Sequence, residues 1–160
     1  MKLNNKAYTL TELLVVVILA GILATMVLPK FANVIDSYRL MEAENVMRLV
    51  RNDQEQRCTL DKKYAQNFNQ ISVLAGASSL ADGASYVTSN FEYEFEFNAQ
   101  SKPVGIMATD LKNNVTLEMP SFLDGRICCD NCDGLNRDYE ECADLMARED
   151  FDTVTADCLP

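Results

Sequence analysis

The chain has 160 residues, enough for one domain. Its formal net charge of −10 argues against a nucleic-acid partner, because holding a phosphate backbone takes clustered Lys and Arg. It contains no histidine. That removes the commonest general base, the commonest metal ligand and the usual partner of a nucleophilic Ser or Cys, so no enzyme is expected.

In chain order, a short leader with Lys2 and Lys6 precedes the apolar run Leu13–Leu28, where Thr25 is the only hydroxyl and no residue is charged. A removable secretory signal, a plain membrane anchor, and a helix that is membrane-bound for part of its life all share this outline. The run is slightly short of the about 20 residues that a bilayer core requires. Adding Tyr8–Glu12 supplies the length and includes a carboxylate. No A-x-A-like exit site closes the run. Helical patterning continues past Pro29 instead: Phe31, Val34 with Ile35, Tyr38, Met41, Asn45 with Val46, and Leu49 with Val50 recur at three-and-four spacing. This predicts one helix from about Thr11 to about Gln56, on the order of 65–70 Å long. Its second half is expected to pack on a globular head through that face while its first half projects. A projecting apolar helix cannot be left in water, since each buried Leu, Ile or Val is worth roughly 1.5–3 kcal/mol. It must lie in lipid or against copies of itself. Glu12 would cost about 2.5–3.5 kcal/mol at a bilayer centre and less near its edge, so a specific positive partner is expected for it. Proteolysis just upstream would create one, a new α-amino group.

The stretch Lys6-Ala7-Tyr8-Thr9-Leu10-Thr11-Glu12-Leu13-Leu14-Val15-Val16-Val17, followed by Pro29, resembles the leader and N-terminal helix of type IV pilins and type II secretion pseudopilins. The resemblance extends into the mid-fifties. It implies cleavage between Ala7 and Tyr8 by a prepilin peptidase, which also methylates the Tyr8 amine. It implies that Glu12 pairs with the N-terminal amine of a neighbouring subunit during filament assembly. The implied partners are copies of the chain and related pilins, the peptidase/methyltransferase, an inner-membrane assembly platform and membrane lipid. The implied location is the bacterial inner membrane before assembly, and a periplasmic or cell-surface filament afterwards. Ala7 stands where the family usually has Gly, and Tyr8 where it usually has Phe, which preserves a small residue followed by an aromatic. Two weak points are expected in the helix. Pro29 has no N–H for the carbonyl of Thr25, and Gly21 costs about 1 kcal/mol relative to Ala. Gly21 serves equally as a small residue for close helix packing.

Residues Cys58 to Gly83 read as a connecting loop with a short helix, carrying Leu60, Tyr64, Phe68, Ile71, Leu74 and Leu80. Turns are expected at Ala75–Ser79 and Asp82–Ser85. Phe91-Glu92-Tyr93-Glu94-Phe95-Glu96-Phe97 alternates aromatics with glutamates, the period of a half-buried strand with its acids in solvent. Val104–Thr109 and Val115–Met119 read as further strands around an Asn113-Asn114 turn, and Arg126–Cys129 as a fourth. Strands packed on the amphipathic half of a long helix give an α+β head.

The last segment is acidic and holds most of the six cysteines: Cys58, Cys128, Cys129, Cys132, Cys142 and Cys158. Without histidine a zinc site would need four thiolates, and Cys129-x-x-Cys132 has no matching second pair. Disulfides are the better reading behind an export-like N-terminus. Sequence leaves the pairing open, except that adjacent Cys128 and Cys129 are the least favourable couple. Cys58 is placed to tie the tail to the helix, and Cys158 to stop the tail fraying. The run from Cys129 to Glu140 partly fits a calcium loop, with Asn131, Asp133 and Glu140 as ligands, but Cys129 stands where the first acid belongs. A soluble acidic turn is the plainer reading, and no other cofactor is expected.

The expected organisation is a leader at 1–7, a transmembrane or filament-core helix at 8–29, an amphipathic helix half at 30–57, loop and antiparallel sheet at 58–127, and the acidic cysteine-rich region at 128–160. A filament subunit is the leading expectation, either of a type IV pilus or of a pseudopilus in protein secretion or DNA uptake. A membrane-tethered binding protein that never polymerises and a carboxylate-based hydrolase on a tether are the rivals.

Overall fold

The long helix starts where the sequence supplies a cap. In the computed structural model, α1 runs Leu10–Asp61, and the residues described are 8–74, 83–132 and 138–151, with residues 28–33 described by backbone alone. The helix is unbroken through both Gly21 and Pro29, and it continues past Gln56 to Asp61. The chain divides into two units, Met1–Asp36 and Ser37–Pro160.

In the first unit the side chains of Leu10–Val27 are uncovered, and this 18-residue window has a mean hydropathy of 2.5. By length and composition it can cross a membrane. The Thr25 hydroxyl donates to the Ile22 carbonyl at 2.7 Å, so the one polar side chain between Leu13 and Val27 is satisfied within the helix. A methyl group added at Gly21 would meet nothing within 4 Å. Any packing role for Gly21 is therefore toward another molecule.

The second unit is a five-stranded antiparallel meander in sequence order, β1 Ser85–Val87, β2 Phe91–Phe97, β3 Pro103–Asp110, β4 Thr116–Met119 and β5 Cys128–Asp130. The second half of α1 covers one face of it. The fold is α+β. β2 occupies the residues whose alternation predicts a strand, and β3 to β5 fall within a residue or two of their expected places. β1 was not legible as a strand, because Ser85 stands among turn formers; Ser85–Val87 pairs only with β2, as an edge. The expected turn at Ala75–Ser79 lies outside the described residues; of the one at Asp82–Ser85 only Asp82 does, and Gly83 and Ala84 form bends that lead into β1 at Ser85. The loop after α1 carries two short 3-10 helices, Phe68–Gln70 and Ser72–Leu74, where one short helix is expected from the sequence.

Strand register sorts the side chains. The inner face presents Tyr86, Phe91, Tyr93, Phe95, Ile106, Ala108, Leu117, Met119 and Cys129 to one core, shared with Leu40, Ala43, Met47 and Val50 of α1. The helix is therefore turned relative to the sequence expectation. The buried stripe is Leu40, Ala43, Met47, Val50 and Gln54, whereas Tyr38, Met41 and Leu49 are exposed. Val50 and Val46 of the expected face do meet the core, but at about 3.6 residues per turn Tyr38, Met41 and Leu49 lie on the side away from it. Both sets have helical spacing, and spacing fixes the period without fixing the phase.

Polar groups of α1 hold the loops. Gln54 is fully buried and bonds both backbone groups of Ala65, donating to its carbonyl at 3.1 Å and accepting from its N–H at 2.7 Å. Asp53 takes Arg57 at 2.9 Å, the Ser72 N–H at 3.2 Å and the Ser72 hydroxyl. Arg51 donates to the carbonyls of Phe122 and Leu123. Gly125 (φ +73°) lies so close to this guanidinium that a Cβ would sit 2.4 Å from its central carbon. Gly105 is equally constrained: a Cβ there would come within 2.4 Å of the Met119 carbonyl oxygen.

Candidate functional site

The N-terminal constellation begins at Tyr8, which is 85% exposed. Thr9 precedes the first helical residue, and Glu12 is the third residue of the helix. The Glu12 carboxylate accepts from the Thr9 N–H at 2.9 Å and from the Thr9 hydroxyl at 2.8 Å. The Thr9 hydroxyl oxygen accepts in turn from the Glu12 N–H at 3.3 Å. This is a capping box, in which Thr-x-x-Glu satisfies two backbone donors that a helix start leaves orphaned. Thr9-x-x-Glu12 carried that signal in the sequence. The Glu12 carboxylate thus has a local role within its own chain. One oxygen serves Thr9, and the side chain stays exposed beside a helix with no other charge before residue 28. A positive group from outside the chain can therefore reach it. Ala7, the residue expected before the cleavage point, lies outside the described residues.

The cysteines pair by the alternation of β5. Adjacent strand residues face opposite ways, so Cys128 and Cys129 diverge. Cys128 points to the outer sheet face and bonds Cys142, with Cα atoms 4.9 Å apart. Cys142 opens a short helix, α2 Cys142–Met146. Together with Leu145 and Phe151 this pair forms a small second core. Cys129 points to the main core and bonds Cys132. Cys58 is disulfide-bonded as well, while Cys158 lies outside the described residues. The α2 turn was not legible: five residues with two buried side chains are too short for a periodic signal. Arg126 closes this end, paired with Asp124 at 2.7 Å and Asp150 at 3.1 Å and placed 5.8 Å from the Phe151 ring centroid.

The expected calcium loop is described only in part. Asn131 is in the left-handed region, at φ 59°. Glu140 is engaged by Arg148 at 3.3 Å. Asp133 lies outside the described residues. Glu118 comes together with Cys128 and Cys142, within 4.8 Å between ligand atoms, but those two sulfurs are already joined to each other and offer no thiolate.

The glutamates of β2 are less solvated than alternation implies. Glu94 is exposed, while Glu92 and Glu96 are half-buried. Burial, with the charge of Glu118 added, pushes Glu96 up to about 7. Burial and then Asp130 raise Glu118. The outer sheet face also presents Val87, Met107, Thr109 and Thr116, and no strand residue is basic.

Residues 2–28 match the family model of the prokaryotic N-terminal methylation motif. No curated protein and no solved structure matches the chain.

Proposed function

We propose that this chain, which carries at residues 2–28 the class III signal of type IV pilins and pseudopilins, is a structural subunit of an extracytoplasmic helical filament of the type IV pilus kind. One observation carries the reading. The methylation motif coincides with an 18-residue apolar helix, Leu10–Val27, whose side chains are uncovered among the described residues. Such a surface is stable in a bilayer or in a bundle of like helices, and a filament subunit uses both in succession.

The steps follow from the residues. The apolar helix holds the chain in the membrane. A prepilin peptidase cuts between Ala7 and Tyr8 and methylates the Tyr8 amine, which remains positive. Assembly exchanges lipid contacts for subunit contacts, so the apolar contributions nearly cancel. A charge pair between Glu12 of one subunit and the Tyr8 amine of another then fixes the register. The capping box presents the carboxylate at a fixed place for that contact. The role is structural, and no substrate chemistry is assigned. Pseudopilins of protein secretion or DNA uptake share the same signal. The disulfide-closed acidic end of the head suits an oxidising compartment, the periplasm or the cell surface, where covalent staples stabilise a small core.

Two variants test this together. Glu12→Ala removes the charge and the carboxylate half of the capping box, leaving the Thr9 hydroxyl cap in place. Glu12→Gln keeps a side chain that can close a capping box and removes only the charge. Both are expected to be processed and membrane-resident, and to yield little filament. Normal filament yield from Glu12→Gln would reduce Glu12 to a helix cap.

A further inference from the structure

The two disulfides at the end of the sheet are nested. Cys128–Cys142 has a sequence separation of 14 and joins β5 to α2. Cys129–Cys132 has a separation of 3 and lies wholly inside that loop. The two differ in access. Cys128 and Cys142 are buried and packed with Leu145 and Phe151. Cys129 is buried against the main core, but Cys132 is only half-buried. It follows Asn131, which is exposed and turns the chain back at φ 59°. The two also differ in how far the fold supports them. A closed loop constrains the unfolded chain more as it lengthens. Linkage is reciprocal, so a bond that stabilises the fold more is held more firmly by it. The smaller ring has little of this support, and the segment around it is held without it. The Cys129 N–H donates to the Glu140 carbonyl at 3.0 Å, the Tyr139 hydroxyl donates to Glu44 of α1, and Arg148 pairs with Glu140 at 3.3 Å.

We propose that Cys132 is a thiol-exchange site, at which a low-molecular-weight thiol opens the Cys129–Cys132 bond while Cys128–Cys142 stays closed. The thiolate of the incoming molecule attacks the Cys132 sulfur, the more accessible of the pair. A new disulfide joins Cys132 to the small thiol, and the Cys129 sulfur leaves as a thiolate that takes a proton from solvent. The incoming sulfur is oxidised by as much as the Cys129 sulfur is reduced, so the step needs no further reagent. A second molecule of the thiol resolves the mixed disulfide, releasing the Cys132 thiol and the disulfide of the small molecule. Attack on Cys129 is hindered because that residue faces the core. Attack on the outer bond is hindered by Leu145 and Phe151, and it requires α2 to move away first. The head therefore has one staple that fixes the fold and another that responds to thiols around it. The site stands whether or not the chain polymerises.

The test uses the full chain, purified from membranes in detergent with its disulfides intact. Glutathione is added in graded amounts at about pH 8, near an ordinary thiol pKa, and free thiols are then capped with N-ethylmaleimide. Tandem mass spectrometry of the peptide of residues 127–137 places each modification. Glutathione is expected on Cys132 and the maleimide on Cys129, both about ten-fold or more faster than any label on Cys128 or Cys142. Glutathione on Cys129 in place of Cys132, labelling of Cys128 and Cys142 at the same rate, or an inner bond that stays closed throughout overturns the proposal. The double variant Cys129→Ser, Cys132→Ser gives a readout without added thiol. Its α2 amides are expected to exchange hydrogen within about two-fold of the wild-type rate, because the inner bond does not hold that helix. Exchange as fast as in Cys128→Ser, Cys142→Ser would show the two bonds acting as one unit and would overturn the proposal equally.

Discussion

Glu96 shows how much a single side chain depends on neighbours that local sequence does not reveal. In the alternating run Phe91–Phe97 it belongs to the outward set, and alternation alone makes it a solvated acid. The fold brings Glu118 of β4 near it across β3, and half-buries it against a strand where Gly105 admits a close approach. Its carboxyl is raised from the ordinary 4.5 to about 7, so the folded state holds this proton more tightly than the unfolded state. The stabilising contribution is therefore complete below about pH 4.5 and is lost as pH rises to about 7. Glu96→Gln should match wild type near pH 4.5 and become the more stable protein at pH 8, as read by urea midpoints at several pH values. Parallel pH profiles for the two proteins would refute this. Glu12 teaches the complementary lesson. Its capping box went unread, although Thr9-x-x-Glu12 spells it by spacing alone, whereas no single chain can display the partner that its charge would meet.

At the scale of elements, the helix and the sheet differed in how readily they could be read. Strand period is two, so one aromatic on the core side fixes the phase of β2 completely. A helix with two apolar stripes lacks that constraint. Tyr38, Met41 and Leu49 are larger and more apolar than Ala43 and Gln54, yet the second set is buried, because the sheet accepts a small residue and the Gln54 amide secures Ala65. The two stripes make opposite predictions. Met47→Ala, in the core, should cost about 2–5 kcal/mol of head stability. Met41→Ala, on the exposed stripe, should change it by less than about 0.5 kcal/mol. Denaturant melts of the two variants check this. A large stability loss at Met41 with none at Met47 would show the helix turned the other way. β1 and α2 stayed hidden because each is too short to carry a period. They are specified by what they join, β1 by pairing with β2 and α2 by the Cys128–Cys142 bond.

For the whole molecule, the decisive information is concentrated in the first fifth of the chain. A charged leader, a small residue before an aromatic, a carboxylate and an uncharged apolar run together make residues 2–28 a specific signal. The head carries no comparable motif: its strands and core specify an α+β fold that many functions share. The account therefore rests on the N-terminus being cut and the freed helix being handed from lipid to other subunits. The most direct measurement is the mass of the mature N-terminal peptide, taken from membrane-resident protein in cells with an active prepilin peptidase. The account predicts a chain beginning at Tyr8 with a methylated amine. A chain that retains Met1 to Ala7 in those cells would contradict it.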